Sequence, residues 1–168
     1  KFGTDGWRAI IAEDYTLENV ARVADATANY LIQTNPKATI CLGFDCRFGG
    51  KMFAEMVIKI MHSKSLKVIY YDQICTTPML SLATNEYKAD IGIMITASHN
   101  PPSYNGYKLK STFGGPTPPS EVQKVEDMIR NEVLIGKLTF QEIEEENKCI
   151  IRKDFRQLYL DRVRQSFN

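Results

Sequence analysis

Apolar and polar positions along this chain alternate between two periods, and that alternation orders its elements. From Thr16 to Leu31, residues Leu17, Val20, Ala21, Ala24, Ala28 and Leu31 recur at helical spacing, and Thr16 is placed to cap the first turn. Thr39–Phe44 (TICLGF) is short and continuously apolar, as a buried strand is. Past the Gly49-Gly50 break, Met52, Phe53, Met56, Val57, Ile60 and Met61 outline a second amphipathic helix. Leu66–Tyr71 (LKVIYY) reads as a second strand and Ile91–Thr96 (IGIMIT) as a third. Between them, Thr77-Pro78 has the form of a cap followed by a first-turn proline, opening a helix to about Tyr87.

Strands and helices that alternate with short connections predict an α/β layer sandwich with largely parallel pairing. Asn105-Gly106 is a tight-turn signal, after which Tyr107–Lys110 alternates as an antiparallel edge strand does. Ser111–Ser120 (STFGGPTPPS) is rich in glycine and proline and reads as a loop. Ser120 with Gln123 suggests a capping box for a helix carrying Val122, Val125 and Ile129. After Phe140 an acidic stretch, 142–146, precedes a possible helix over Lys153–Phe167, with Phe155, Leu158, Tyr159 and Val163 on one side. That stripe either folds back onto the domain or begins a second one.

Composition narrows the function classes. The 168 residues carry 21 Lys+Arg against 20 Asp+Glu, so the basic excess typical of nucleic-acid or membrane-surface partners is missing. With 43% hydrophobic and 24% charged residues the chain is an ordinary globular one, and no apolar run approaches the ~20 residues of a membrane span. It opens on Lys1 with neither Met nor a signal-peptide pattern, which suggests a trimmed chain and a cytoplasmic location. The four cysteines, Cys41, Cys46, Cys75 and Cys149, form no Cys-x-x-Cys pair, so reduced thiols are expected rather than a zinc knuckle or a redox dithiol.

Candidate chemistry concentrates in Thr96–Pro102 (TASHNPP), just past the third strand, where open α/β sheets gather ligands. Ser98 and His99 are adjacent, so they project to opposite sides of an extended segment, and no Gly-x-Ser-x-Gly elbow surrounds Ser98. A serine hydrolase is therefore a poor reading. A serine on a proline-restricted loop can instead carry a phosphoryl group, which needs cations and N–H donors around it. Arg8, His99 and Lys108 are candidate positive groups for that role. An ordinary surface turn fits the same residues.

Thr96–Lys108 (TASHNPPSYNGYK) closely resembles the phosphoserine loop of the α-D-phosphohexomutase superfamily, the phosphoglucomutase/phosphomannomutase group. Phe2–Arg8 (FGTDGWR) resembles that family's N-terminal motif, Gly43–Arg47 (GFDCR) its Asp-x-Arg segment, and Thr76-Thr77-Pro78 its Thr-Pro turn. The resemblance implies a three-layer α/β/α sandwich around a mixed, mostly parallel sheet over residues 1–140, the family's domain I. Residues 141–168 would be a linker and the start of domain II. It further implies that Ser98 carries phosphate to and from a hexose phosphate through a hexose 1,6-bisphosphate, and that this phosphate is one ligand of Mg²⁺. Lys108 matches the general acid/base, His99 the neighbour that assists it, and Arg8 an arginine that contacts the phosphoserine. Asn100 would shape the loop, while Arg47, pairing with Asp45, would be structural or peripheral.

Trp7 and Ala9 depart from commoner residues at a structural strand-turn. The family's Asp-Gly-Asp-Gly-Asp metal loop and its sugar and phosphate-binding motifs are not in these residues. The expectation is one domain of about four. Domains II–IV would then be its partners within a parent chain, and the isolated piece would be inactive. A stand-alone phosphate-binding module without turnover is the alternative. The identity of the sugar is not encoded here.

Overall fold

The computed structural model describes residues 2–3, 6–146 and 148–167. In chain order the elements are β1 (Trp7–Ile10), α1 (Leu17–Thr34), β2 (Thr39–Phe44), α2 (Gly50–Ser63), β3 (Lys67–Ile74), α3 (Thr77–Glu86), β4 (Ile91–Ile95), β5 (Tyr104–Lys110), α4 (Pro119–Asp127), α5 (Phe140–Glu146), β6 (Ile150–Arg152) and α6 (Phe155–Ser166). The strands form one sheet in the order β1-β5-β4-β2-β3-β6. β4, β2, β3 and β6 run parallel, while β5 is antiparallel to both β4 and β1. This is the expected three-layer α/β/α sandwich around a mixed, mostly parallel sheet.

Burial follows the hydrophobic periods. The Thr16 hydroxyl accepts the Asn19 N–H at 3.2 Å to cap α1, which buries Val20, Ala24 and Leu31. With α2, and with α4 set against α1, it covers one face of the sheet around Ile40, Leu42, Ile93 and Tyr107. The opposite face carries α3 and α6 over Cys41, Ile69, Cys75 and Met94. Burial pushes the Cys41 and Cys75 thiols up to about 12, and no disulfide joins the cysteines among the described residues. Trp7, stacked on Tyr15 at 4.7 Å between ring centres, and the buried Ala9 are packing positions in β1.

Four expectations are corrected. Asn105-Gly106 is not a turn: both residues lie inside β5, because pairing on both sides overrides the local turn preference. β5 consequently begins at Tyr104 and sits between β1 and β4, so the edge strand on that side is β1. The cap of α3 is Thr76, whose hydroxyl accepts the Met79 N–H at 3.4 Å, while Thr77 is already helical. No capping box forms at Ser120, since α4 starts at Pro119 after a Pro118 cap, and the Gln123 amide donates forward to Asp127 at 2.8 Å.

The C-terminal stripe folds back at Phe155 and Leu158, while Val163 stays exposed. β6 extends the parallel sheet beside β3, and Arg152 fastens it by ion pairs to Asp72 at 3.0 Å and Glu144 at 2.6 Å. The Asp154 carboxylate caps α6, and Phe155 is fully buried, stacked on Tyr71 at 5.7 Å and tilted against Tyr87 at 6.2 Å.

Candidate active site

The topology fixes where a site forms. From β2 the chain crosses through α2 to β3 on one side, then returns through α3 to β4 on the other side of β2. The carboxyl ends of β2 and β4 are therefore a topological switch point, the crevice where open α/β sheets bind ligands. Phe44 pairs with Ile95, so the segments that follow, 45–49 and 96–103, emerge side by side. Ser98 lies in the second of them and is exposed, as is His99.

Ser98 has φ 55°, the left-handed region, which costs a non-glycine residue roughly 1–2 kcal/mol. Its backbone is held from both sides. The Ser98 N–H donates to the Thr96 hydroxyl at 3.0 Å, and that hydroxyl in turn donates to the Asp45 carboxylate. The Ser98 carbonyl accepts from the Arg47 guanidinium at 2.8 Å. Asp45 also accepts the Arg47 backbone N–H at 3.0 Å, closing an Asx-type turn at the end of β2. The Asn100 N–H donates to the Ala97 carbonyl at 3.0 Å, and the Tyr104 N–H to the Pro101 carbonyl at 3.0 Å. On the far side, the buried Asn105 amide ties β5 to the first segment by donating to the Phe48 carbonyl at 3.1 Å.

Arg8 reaches this region from β1, and Lys108 lies on the neighbouring β5. Arg8 pairs with Gly106, so its side chain shares a sheet face with those of residues 106, 108 and 110. Its guanidinium donates to the Asn100 side-chain oxygen at 3.1 Å, which joins β1 to the serine segment. Lys108 is only 5% exposed, and its aliphatic stem runs beneath Gly6. A Cβ at Gly6, whose φ is +99°, would lie 2.9 Å from Lys108 Cγ and 2.7 Å from the Tyr107 carbonyl oxygen, so only glycine lets the N-terminal segment pass that close. Thr4 and Asp5 of the opening motif lie outside the described residues.

The structure thus brings Arg8 to Asn100, two residues past Ser98, and sets Lys108 on the same sheet face as Arg8. His99 follows Ser98 on the exposed side, and among the described residues no hydrogen bond joins the two, so His99 is not set as a base on Ser98. Sequence reasoning missed the hydroxyl of Thr96 and the extent of the Arg47 contacts. The Asp-x-Arg spacing signals the local Asx turn at 45–47, but not the distant carbonyls or the hydroxyl that this turn meets. A cavity of about 520 Å³ opens at the carboxyl end of β2, lined by Asp45, Arg47, Lys51 and Glu55 and by no residue of 96–103. A roomier one of about 1060 Å³ opens between α1, α2 and residues 130–135 and shares no residue with the Ser98 loop. Proximity to the switch point, not volume, marks the first as the relevant concavity.

Residues 1–135 match the family described as Phosphoglucomutase/phosphomannomutase, alpha/beta/alpha domain I. A phosphoglucomutase of Staphylococcus saprophyticus is 33% identical over 133 residues, which are 77% of this chain and 24% of that relative. A phosphoglucosamine mutase of Clostridium botulinum is 30% identical over 154 residues, 89% of this chain and 34% of the relative. A solved Thermus thermophilus structure described as a phosphomannomutase superposes with a TM-score of 0.88 at 30% identity, covering 100% of this chain and 36% of its own. The chain spans between 19% and 34% of the length of these and similar curated relatives. A match over most of its residues, joined to the same fold in a solved relative, means that the chain belongs to the phosphoglucomutase/phosphomannomutase family as its alpha/beta/alpha domain I.

Proposed function

We propose that Ser98 carries the phosphoryl group of a phosphohexomutase, in a parent protein of which this chain is the first domain. The observation that carries the reading is an exposed serine in a left-handed conformation, held by contacts on both sides at the switch point. Phosphoryl transfer depends on positioning and charge stabilisation more than on new covalent machinery. The Ser98 Oγ–P bond breaks as a bond forms from phosphorus to the free hydroxyl oxygen of a hexose monophosphate. That hydroxyl proton passes to a base, for which Lys108 is proposed with His99 assisting, and Arg8 offsets the anionic charge. The resulting hexose 1,6-bisphosphate reorients and returns its other phosphoryl group to Ser98. Relatives named for glucose, glucosamine and mannose phosphates support this substrate class.

The described residues do not form a metal site by themselves. Among the described residues no group of three or more His, Cys, Asp or Glu side chains converges, and the Asp45 carboxylate is already engaged by Thr96 and Arg47. Mg²⁺ dependence is proposed only through a phosphate on Ser98 and ligands outside this chain, so no step is routed through a metal here. The chain alone is accordingly proposed to lack turnover. The lack of a disulfide among the described cysteines supports a reducing compartment such as the cytoplasm, and no helix among the described residues is long and apolar enough to cross a membrane.

Phosphopeptide mapping of the full-length parent protein is expected to find phosphate on Ser98. Ser98→Ala should lower mutase turnover by at least roughly 10³-fold. Normal turnover in that variant would overturn the proposal.

A further inference from the structure

We infer that Arg47 is the positioning residue for the Ser98 loop, and that it acts through its planar fork of donors rather than through its charge. The inference rests on the reading of Ser98 as the phosphoryl carrier and assigns the group that sets the serine's backbone.

Arg47 stands on the turn after β2, and its side chain is 12% exposed. Its Nη1 donates to the carbonyls of Pro101 at 2.8 Å and Tyr104 at 3.0 Å. Its Nη2 donates to the carbonyls of Ser98 at 2.8 Å and Asn100 at 2.6 Å, while Nε faces the Asp45 carboxylate at 3.7 Å. A guanidinium has five N–H donors, and here four main-chain carbonyls and one carboxylate surround it. The loop is wrapped around a single cation.

The composition of the loop explains the need for such a cation. Pro101 and Pro102 contribute carbonyls but no N–H, so this stretch holds more acceptors than local donors. An arginine from the neighbouring strand's turn supplies the deficit. Its placement also orients the next amide. A trans peptide sets C=O and N–H in opposite directions, so a Ser98 carbonyl aimed at Arg47 turns the His99 N–H away from it, toward the exposed side of the loop. Arg47 thereby sets both the left-handed twist at Ser98 and the direction of the donor that follows it. Because its own donors face the underside of the loop, its effect on a phosphoryl group passes through the backbone.

Lysine keeps the charge but offers a compact ammonium with three donors, which cannot span four carbonyls in one plane. The test compares Arg47→Lys and Arg47→Gln in the full-length parent protein by amide hydrogen exchange and by steady-state kinetics. In both variants, exchange of the 97–104 amides should speed up by at least about tenfold while the peptides of β2–β4 keep their rates. Turnover should fall about 10²-fold per folded molecule, with KM within about twofold of the parent. Parent-like kcat in Arg47→Lys would overturn the fork argument, since charge alone would then suffice. A rise in KM at unchanged kcat would also overturn it, because it would mean direct substrate binding. If Arg47→Gln does not fold, Arg47→Lys decides alone. Failure of the phosphoryl-carrier reading shows separately, as an active Ser98→Ala, and leaves the exchange result to judge the clamp.

Discussion

Gly106 lies in the middle of β5, opposite Arg8 on β1, and a Cβ there would stand 2.5 Å from the Thr96 carbonyl oxygen, 2.8 Å from the Trp7 carbonyl oxygen and 3.1 Å from Arg8 Cγ. Two of these three atoms are backbone, one on each side, so neither can swing away. Gly106→Ala must therefore spread β1 and β4 at the point where the serine segment leaves the sheet. Forcing an extra methyl into a packed interior costs about 1–3 kcal/mol. Replacing glycine also stabilises by about 0.4–1 kcal/mol through the unfolded chain, leaving a net loss of about 1–2 kcal/mol. For a domain of this size that corresponds to a Tm lower by roughly 2–8 °C. Gly136 is the matched control: nothing lies within 4 Å of its Cβ position, so Gly136→Ala gains the same entropy without the collision. Denaturant and thermal unfolding of the two variants should thus move in opposite directions. A Gly106→Ala protein within about 0.5 kcal/mol of the parent, or matching Gly136→Ala, would refute the close-approach argument.

Two further measurements address the rest of the chain. Phe155→Ala empties a fully buried site against Tyr71 and Tyr87 and should cost about 3–5 kcal/mol; an effect below about 1 kcal/mol by denaturant titration would mean that α6 does not dock on α3. Burial lifts the Cys41 and Cys75 thiols from 9.0 to about 12, so at about pH 8 a thiol reagent should modify Cys46 and Cys149 in the native chain, and the buried pair only after unfolding. The same shift carries a sign for stability. The folded chain holds these protons more tightly than the unfolded one, so stability is unaffected below about pH 9 and falls as pH rises toward 12. Four fast-reacting thiols in the native chain under those conditions would contradict this.

Elements decided by local contacts were legible from the sequence. Thr16 caps α1 through a bond three residues away, and the apolar stripes of α1 and α2 face the sheet as their spacing requires. Reading failed where distant chain overruled a local signal. Asn105-Gly106 has the chemistry of a turn, yet here glycine answers the close approach of β1 and β4, and asparagine spends its amide on Phe48. β6 is three residues long, too short for any period to register. At the site, Ser98, Arg8 and Lys108 stand out as residue types. The left-handed backbone at Ser98 and the grip of Arg47 depend on contacts 51–57 residues apart, and no single-chain pattern encodes those.

The order of the strands explains why this domain can fix a serine so firmly and still leave it open. Parallel neighbours β2 and β4 end level with each other, so the turn after one can reach under the loop after the other. Antiparallel β5 then returns beneath that loop and, by separating β4 from β1, brings Arg8 alongside Asn100. Every contact described at the loop comes from these four strands and the turns that join them, and all face its inner side or its flank. Preorganisation of the serine is therefore a property of the domain. On the proposed phosphohexomutase reading, contacts to the sugar and its far phosphate would be made from the exposed side, where the loop presents Ser98 and His99. If Ser98 is the proposed phosphoryl carrier, that division of labour would let one rigid platform serve phosphates of different sugars, because positioning the reacting oxygen would be separated from recognising what it reacts with.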